Sequence, residues 1–158
     1  MGKGKIMNPT VNDAVFGVMR YDAGWEKHDT LTVFGKTFPV CVTAAAYTGQ
    51  DIMDIQRQAY GKYLTGLPSY VAAVPAILLR YYLDNYDDIS SYMEIPEKIN
   101  RQNITAAAVV KLIKIRTVYF DRKGNYGWLC DCAWDTEHGI AIVLSASEPF
   151  ITDQDYLI

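Results

Sequence analysis

The sequence is poor in the residues that hold metal- or disulfide-stapled scaffolds together: three cysteines, Cys41, Cys130 and Cys132, and two histidines, His28 and His138, in 158 residues. An odd number of thiols closes no disulfide framework, so a reducing, cytoplasmic setting is the expectation. No Cys-x-x-Cys pair occurs, which removes the usual structural zinc knuckle. Long apolar runs are missing as well. The longest, Val71 to Leu79, contains Pro75 and stops at Arg80, short of the roughly 20 residues that span a bilayer, so no membrane association is expected. Met1 to Asn8 carries Lys3 and Lys5 with no apolar run behind them and does not read as a secretory leader. Nor is there a basic stripe. The net charge is -3 and the pI about 5.3, and the densest basic stretches, Lys111 to Arg116 and Arg122-Lys123, are short and interrupted, which argues against a nucleic-acid partner. The Gly-Lys pairs, such as Gly35-Lys36 and Gly61-Lys62, lack the rest of a phosphate loop, and no cofactor is implied.

What is present is the composition of a globular domain, 50% hydrophobic and 21% charged. A chain of this length buries roughly 70% of its unfolded surface and holds a core without staples. One domain over residues 1–158 is expected, with residues 1–12 as a flexible start. Strand-type runs at Ala14 to Tyr21, Thr30 to Phe34 and Phe38 to Thr43 alternate with turn residues and predict an N-terminal antiparallel meander. Pro39, having no amide donor, places the start of the third strand at an edge or an irregularity. From Asp51 the period changes. Ile52, Ile55, Ala59, Tyr60 and Tyr63 mark one helix ending near Gly66 and Pro68, and Val74, Ile77, Leu78, Tyr81 and Tyr82 mark a second with Pro75 in its first turn. Asp84 to Asn103, broken by Pro96, reads as a long connection, followed by a short helix at Thr105 to Ile113. Strands are expected at Lys114 to Phe120, Tyr126 to Trp134, Ile140 to Leu144 and Phe150 to Thr152, with turns at Asp121 to Asn125 and Asp135 to Gly139. The fold class is α+β: an N-terminal meander, central helices and C-terminal antiparallel strands, with the helices on one face of the sheet.

The chemistry-bearing residues crowd into Tyr126 to Gly139. Cys130, Cys132 and His138 with Asp135 or Glu137 would make a metal set, since alternate strand residues share a face. Cys130 or Cys132 as nucleophile, His138 as base and Asp131 or Glu137 as its orienter would make a hydrolase, and Asp135 with Glu137 a carboxylate pair. A structural reading explains most of the same residues. Trp128, Cys130, Cys132 and Trp134 fall at period two on one buried face, with Asp135 capping a turn that Gly139 closes in a left-handed conformation. A fourth reading makes the hairpin a binding edge presenting Asp131, Trp134, Asp135, Glu137 and His138.

The run Tyr126-Gly127 through Cys130-Asp131-Cys132-Ala133-Trp134-Asp135-Thr136-Glu137-His138-Gly139, followed by Asp153-Gln154-Asp155, resembles a bacterial family known only as a domain of unknown function, whose members carry a Trp-Asp-x-Glu-His-Gly hairpin. Trp25, Gly35 and the Gln56 to Tyr63 helix extend the resemblance upstream. It implies no catalytic residue. Small acidic bacterial domains of this kind are similar to immunity proteins, which neutralise a toxin encoded beside them. The leading expectation is therefore a non-enzymatic binding domain with a toxin-like protein partner. The alternatives are a small metal- or thiol-dependent hydrolase and a structural subunit of an assembly.

Overall fold

Residues 8–93 and 100–158 are described by a computed structural model. Eight strands form one sheet in chain order: β1 (Thr10–Asp13), β2 (Gly17–Tyr21), β3 (Trp25–Val33), β4 (Lys36–Ala44), β5 (Ile113–Phe120), β6 (Tyr126–Cys132), β7 (Asp135–Val143) and β8 (Phe150–Thr152). Every neighbour is antiparallel except β4 and β5, which run parallel with Cys41 opposite Thr117. That one parallel contact is where the helices cross over, because parallel strands need a long connection. The connection holds α1 (Asp54–Asp84), α2 (Tyr86–Tyr92) and α3 (Ala106–Val110). The architecture is the expected α+β arrangement, with meanders before and after the helices.

Several boundaries differ from the sequence reading. The run Ala14 to Tyr21 is not one strand. It is β2 preceded by a tight turn at residues 14–16, and β1 lies before it, so Thr10–Asn12, expected within a flexible start, are paired with β2. The turn is made by Asp13, whose carboxylate accepts the amide hydrogens of Val15 and Phe16 at 3.0 Å each. Pro39 lies near the start of β4, an interior strand whose start is an open edge, as expected. It faces Thr30 of β3, and pairing with β5 begins only at Cys41, so the missing donor falls where β4 has a neighbour on one side.

The two expected helices are one. Proline inside a helix removes a hydrogen bond and costs about 3 kcal/mol, yet α1 runs through Pro68 and Pro75. Tyr60 and Tyr63 before the prolines, and Val74, Leu78 and Tyr82 after them, are buried on the same side of the helix, so one continuous rod serves both ends of the sheet. The merger makes α1 long and apolar enough, by length and composition, to cross a membrane, and this replaces the shorter apolar run read from the sequence. Here its inner stripe lies on the sheet. Asp84 to Asn103 is not wholly a connection, since α2 occupies its first part, while Pro96 and the other residues of 94–99 lie outside the described residues. The third helix is shorter than expected, with Thr105 as its cap and Ile113 already in β5.

One core fills the space between the helices and the sheet. Phe16 stacks on Tyr60 with centroids 4.5 Å apart, Phe120 meets both edge-on, and fully buried Trp128 donates its indole hydrogen to Tyr63 at 3.1 Å. Gln56, with no exposed surface, ties the layers together. Its amide donates to the carbonyls of Ala45 and Asp121 and its oxygen accepts from the Met53 amide, so the parallel strand ends and the helix start share one side chain. A smaller cluster covers the opposite face of β6 and β7: Leu129, Ala141 and Val143 under Leu157.

Candidate functional site

The hairpin of β6 and β7 turns earlier than its sequence implies. Its turn is Ala133-Trp134, with Cys132 opposite Asp135, and Asp135 to Gly139 belong to β7 instead of forming the turn themselves. Neither turn residue has positive φ, so this is not the turn type that matches the twist of flanking strands. The ladder breaks directly behind it. Cys130 pairs with Ile140, and between the two pairings β6 supplies only Asp131 while β7 supplies Thr136, Glu137, His138 and Gly139. The extra residues leave the sheet as a bulge. Gly139 closes the bulge in the expected left-handed conformation, φ 63°, and a side chain there would collide with the Cys130 carbonyl.

Two devices fix the shape of this bulge. Asp135 accepts the amide hydrogen of His138 at 3.1 Å, as expected of a turn-capping carboxylate, and the same oxygen lies 3.1 Å from His138 Nδ1. Behind it, the Gln154 amide donates to the Cys130 carbonyl at 3.2 Å and the Ile140 carbonyl at 3.4 Å, bridging the strands where the bulge disrupts their ladder. Gln154 opens a 3-10 turn, Gln154–Tyr156, that is anchored by buried Leu157. The sequence reading placed Gln154 in the family motif without a role. Its strand-bridging bonds depend on long-range register that no local pattern reveals.

Of the five candidate residues, four come together. Trp134, Asp135, Glu137 and His138 line one hollow of about 440 Å³ with Ala133 and Thr136. On the other side of the bulge, Asp135, Glu137 and His138 share a second hollow of about 450 Å³ with Gly139, Asp153, Gln154, Asp155 and Ile158. Trp134 is itself buried, packed against Tyr81 and Tyr82 at centroid distances of 6.3 and 5.9 Å, so it fixes the floor more than it offers a contact. Asp131 does not join them. It lies on the outer face of the sheet, half-exposed, with the Arg116 guanidinium 2.6 Å away. The bulge in β5 between Ile115 and Thr117 accompanies that pairing, and with it Asp131 has a structural partner.

The thiols are elsewhere. Cys130 and Cys132 point into the main core, Cys130 with no exposed surface and its Sγ on the Trp128 carbonyl at 3.9 Å. Burial pushes the Cys130 thiol far up and that of Cys132 to about 11, so neither is a thiolate near neutral pH. His138, by contrast, is exposed. Its hydrogen bond to Asp135 raises it above the ordinary imidazole value, and Glu137 and Asp153 push in the same direction. Asp135 is held below the usual carboxylate range by the His138 amide and ring. The thiols are thus buried in the core while the imidazole is exposed, and among the described residues no hydrogen bond joins His138 to either thiol, so the nucleophilic set is not assembled. Among the described residues no group of three His, Cys, Asp or Glu side chains is placed to hold a metal ion.

The electrostatics of the bulge are one-sided. Neither hollow is lined by a lysine or arginine. Elsewhere, among the described residues, four carboxylates have guanidinium partners: Asp13 and Asp54 with Arg57, Asp87 with Arg101, and Asp131 with Arg116. Among the described residues Glu137, Asp153 and Asp155 form no ion pair with a lysine or arginine.

The model of a family described as a domain of unknown function, DUF6985, matches residues 15–156, and the chain belongs to that family. No curated protein and no solved structure matches the chain.

Proposed function

We propose that this member of the DUF6985 family is a non-enzymatic binding domain whose acidic bulge, Asp135 to Gly139 with Asp153 and Asp155, engages a basic protein partner. The observation that carries the reading is a contrast within one hairpin. The thiols that would serve as nucleophiles are buried and protonated, whereas the carboxylates Glu137, Asp153 and Asp155 beside them have no lysine or arginine partner. Rigid loops on a sheet are suited to recognition, and unmatched charge of one sign speeds encounter with an oppositely charged surface. Glu137, His138, Asp153 and Asp155 would make the contacts. Trp134 and Gln154 would hold them in place.

Among basic protein partners, a toxin encoded beside this chain fits the acidic pI and the mode of action, which is occlusion without chemistry, as in a cytoplasmic bacterial immunity protein. Co-expression with the adjacent gene tests it. Growth arrest by that gene alone, rescued by the wild-type chain and not by a Glu137→Lys, Asp153→Lys double variant, is the expected result. Rescue by both chains would move the surface elsewhere, and failure of rescue by either would reject the immunity assignment.

A further inference from the structure

The bulge carries the one histidine of the hairpin inside its acidic surface, and the placement has a consequence for when that surface is fully charged. One oxygen of Asp135 serves both the His138 amide and its Nδ1, each at 3.1 Å, so a single carboxylate spans the chord of the bulge. The ring is 77% exposed and the carboxylate 41%, which leaves both free to exchange protons with water. The charged groups acting on the ring are all acidic: Asp135 and Glu137 from β7, and Asp153 from the segment leading into the 3-10 turn, with Asp155 also lining the shared hollow. Asp88 of α2 lines the adjoining hollow with Asp135 and Asp153. Arg80, with Tyr81 and Asp84, lines a separate one.

We propose that His138 and Asp135 form a proton-operated clasp that tightens across the bulge and lowers its negative charge when the imidazole is protonated, and that loosens to the amide contact alone and restores the full acidic surface when it is neutral. The partner-binding consequence rests on the function proposed above; the clasp does not. An imidazolium must use Nδ1 as a donor, so the contact to Asp135 becomes a charge-assisted hydrogen bond. A neutral ring keeps that bond only in one tautomer and loses the charge. Because the folded imidazole is raised above its ordinary value, the clasp is fully closed below about pH 6.5 and opens as pH rises through the higher folded value. Affinity for a cationic partner therefore falls on acidification. The change is about fivefold at low salt, the effect of one unit charge at about 4 Å in water.

The test uses the whole chain. The His138 ring and backbone amide are followed by NMR from pH 5 to 9 in wild type and in Asp135→Asn. The expected result is a wild-type midpoint above about 6.5, an amide signal that titrates with the ring, and a lower midpoint in the variant. A midpoint unmoved by the substitution, or an amide indifferent to the ring, would overturn the clasp. In the second arm, an octa-arginine peptide is titrated at pH 6 and pH 8. Tighter binding at pH 8 that becomes pH-independent in His138→Gln supports the regulated surface, and equal binding by wild type at the two pH values refutes it. A working clasp with no peptide binding at either pH refutes the regulation and the binding function together while leaving the clasp standing.

Discussion

Deleting Thr136, Glu137 and His138 would convert the interrupted hairpin into a continuous one. The pairings Gly127 with Val143 and Cys130 with Ile140 share one register, and Cys132 with Asp135 is displaced from it by three residues. Removing three therefore places Gly139 opposite Asp131 and lets the ladder run unbroken to the Ala133-Trp134 turn. The structure allows the cost to be bounded. The deleted side chains are exposed and leave the main core untouched, and one or two new backbone hydrogen bonds contribute about 1 kcal/mol each. Against this, a turn without positive φ no longer has a bulge behind it to absorb the mismatch in twist, a strain of about 1–3 kcal/mol. Gly139 can leave its left-handed conformation freely. The two sides nearly cancel, and the variant is expected to lie within about 2 kcal/mol of wild type, a midpoint shift near 1 M urea for a typical slope. Urea denaturation followed by fluorescence measures it, and the near-UV spectrum of buried Trp128 and Trp134 reports whether the core is intact. Rescue or peptide binding should be lost while the fold remains. A loss above about 4 kcal/mol, or a collapsed near-UV spectrum, would mean that the bulge is required by the fold, and the argument that it is there for recognition would fail.

The remaining predictions concern the scaffold. Asp13→Asn removes the charge from hydrogen bonds to Arg57 at 2.8 Å and should cost about 1.5–3 kcal/mol at pH 7. Burial pushes the Asp13 carboxyl up, but the Phe16 and Val15 amides and Arg57 together hold it below its ordinary range, so the wild-type advantage is full above about pH 4 and fades as pH falls through the folded value; urea melts that differ equally at pH 7 and pH 3 would contradict this. Native thiol titration should show Cys41 reacting ahead of Cys130 and Cys132, which respond only on unfolding; fast modification of either would revive the nucleophile reading. Gln56→Leu strands the Met53 amide and the Ala45 and Asp121 carbonyls and should cost about 3 kcal/mol, read as a lower thermal midpoint.

Much of the fold was legible because it follows local periodicity. The alternation in β3 and β6 and the three- and four-residue spacing in α1 arise from how side chains leave each backbone, and the structure keeps them. What was misread depends on distant partners. Pro68 and Pro75 are stop signals in isolation, and only the sheet beneath both halves of α1 makes a continuous helix the better state. Asp13 looks like any turn residue until Arg57, 44 positions away, is brought to it by the crossover. Gln56 sits in a helix pattern as a polar interruption, and its burial becomes intelligible only when the ends of β4 and β5 are side by side.

The candidate site was legible in composition and misleading in grouping. Alternation put Cys130 and Cys132 on the face with Trp128, which is where they lie, and proximity in sequence invited His138 to join them. The structure does not join them, because His138 lies in the unpaired stretch of β7, exposed and bonded to Asp135, while both thiols are buried in the core. The same alternation that buries Cys130 and Cys132 turns Asp131 to the opposite face, where Arg116 meets it, and so removes it from the surface to which it was assigned. Asp153 and Asp155 take its place, although they are separated from the hairpin by β8 and a loop. Net charge could not have located this surface, since -3 overall is compatible with an even distribution. The grouping appears only when the 3-10 turn brings Asp153 and Asp155 beside Glu137 in one hollow free of lysine and arginine. Glu137, Asp153 and Asp155 meet where the β6–β7 ladder is interrupted, which ties the proposed recognition surface to the one stretch of the hairpin that regular pairing does not need.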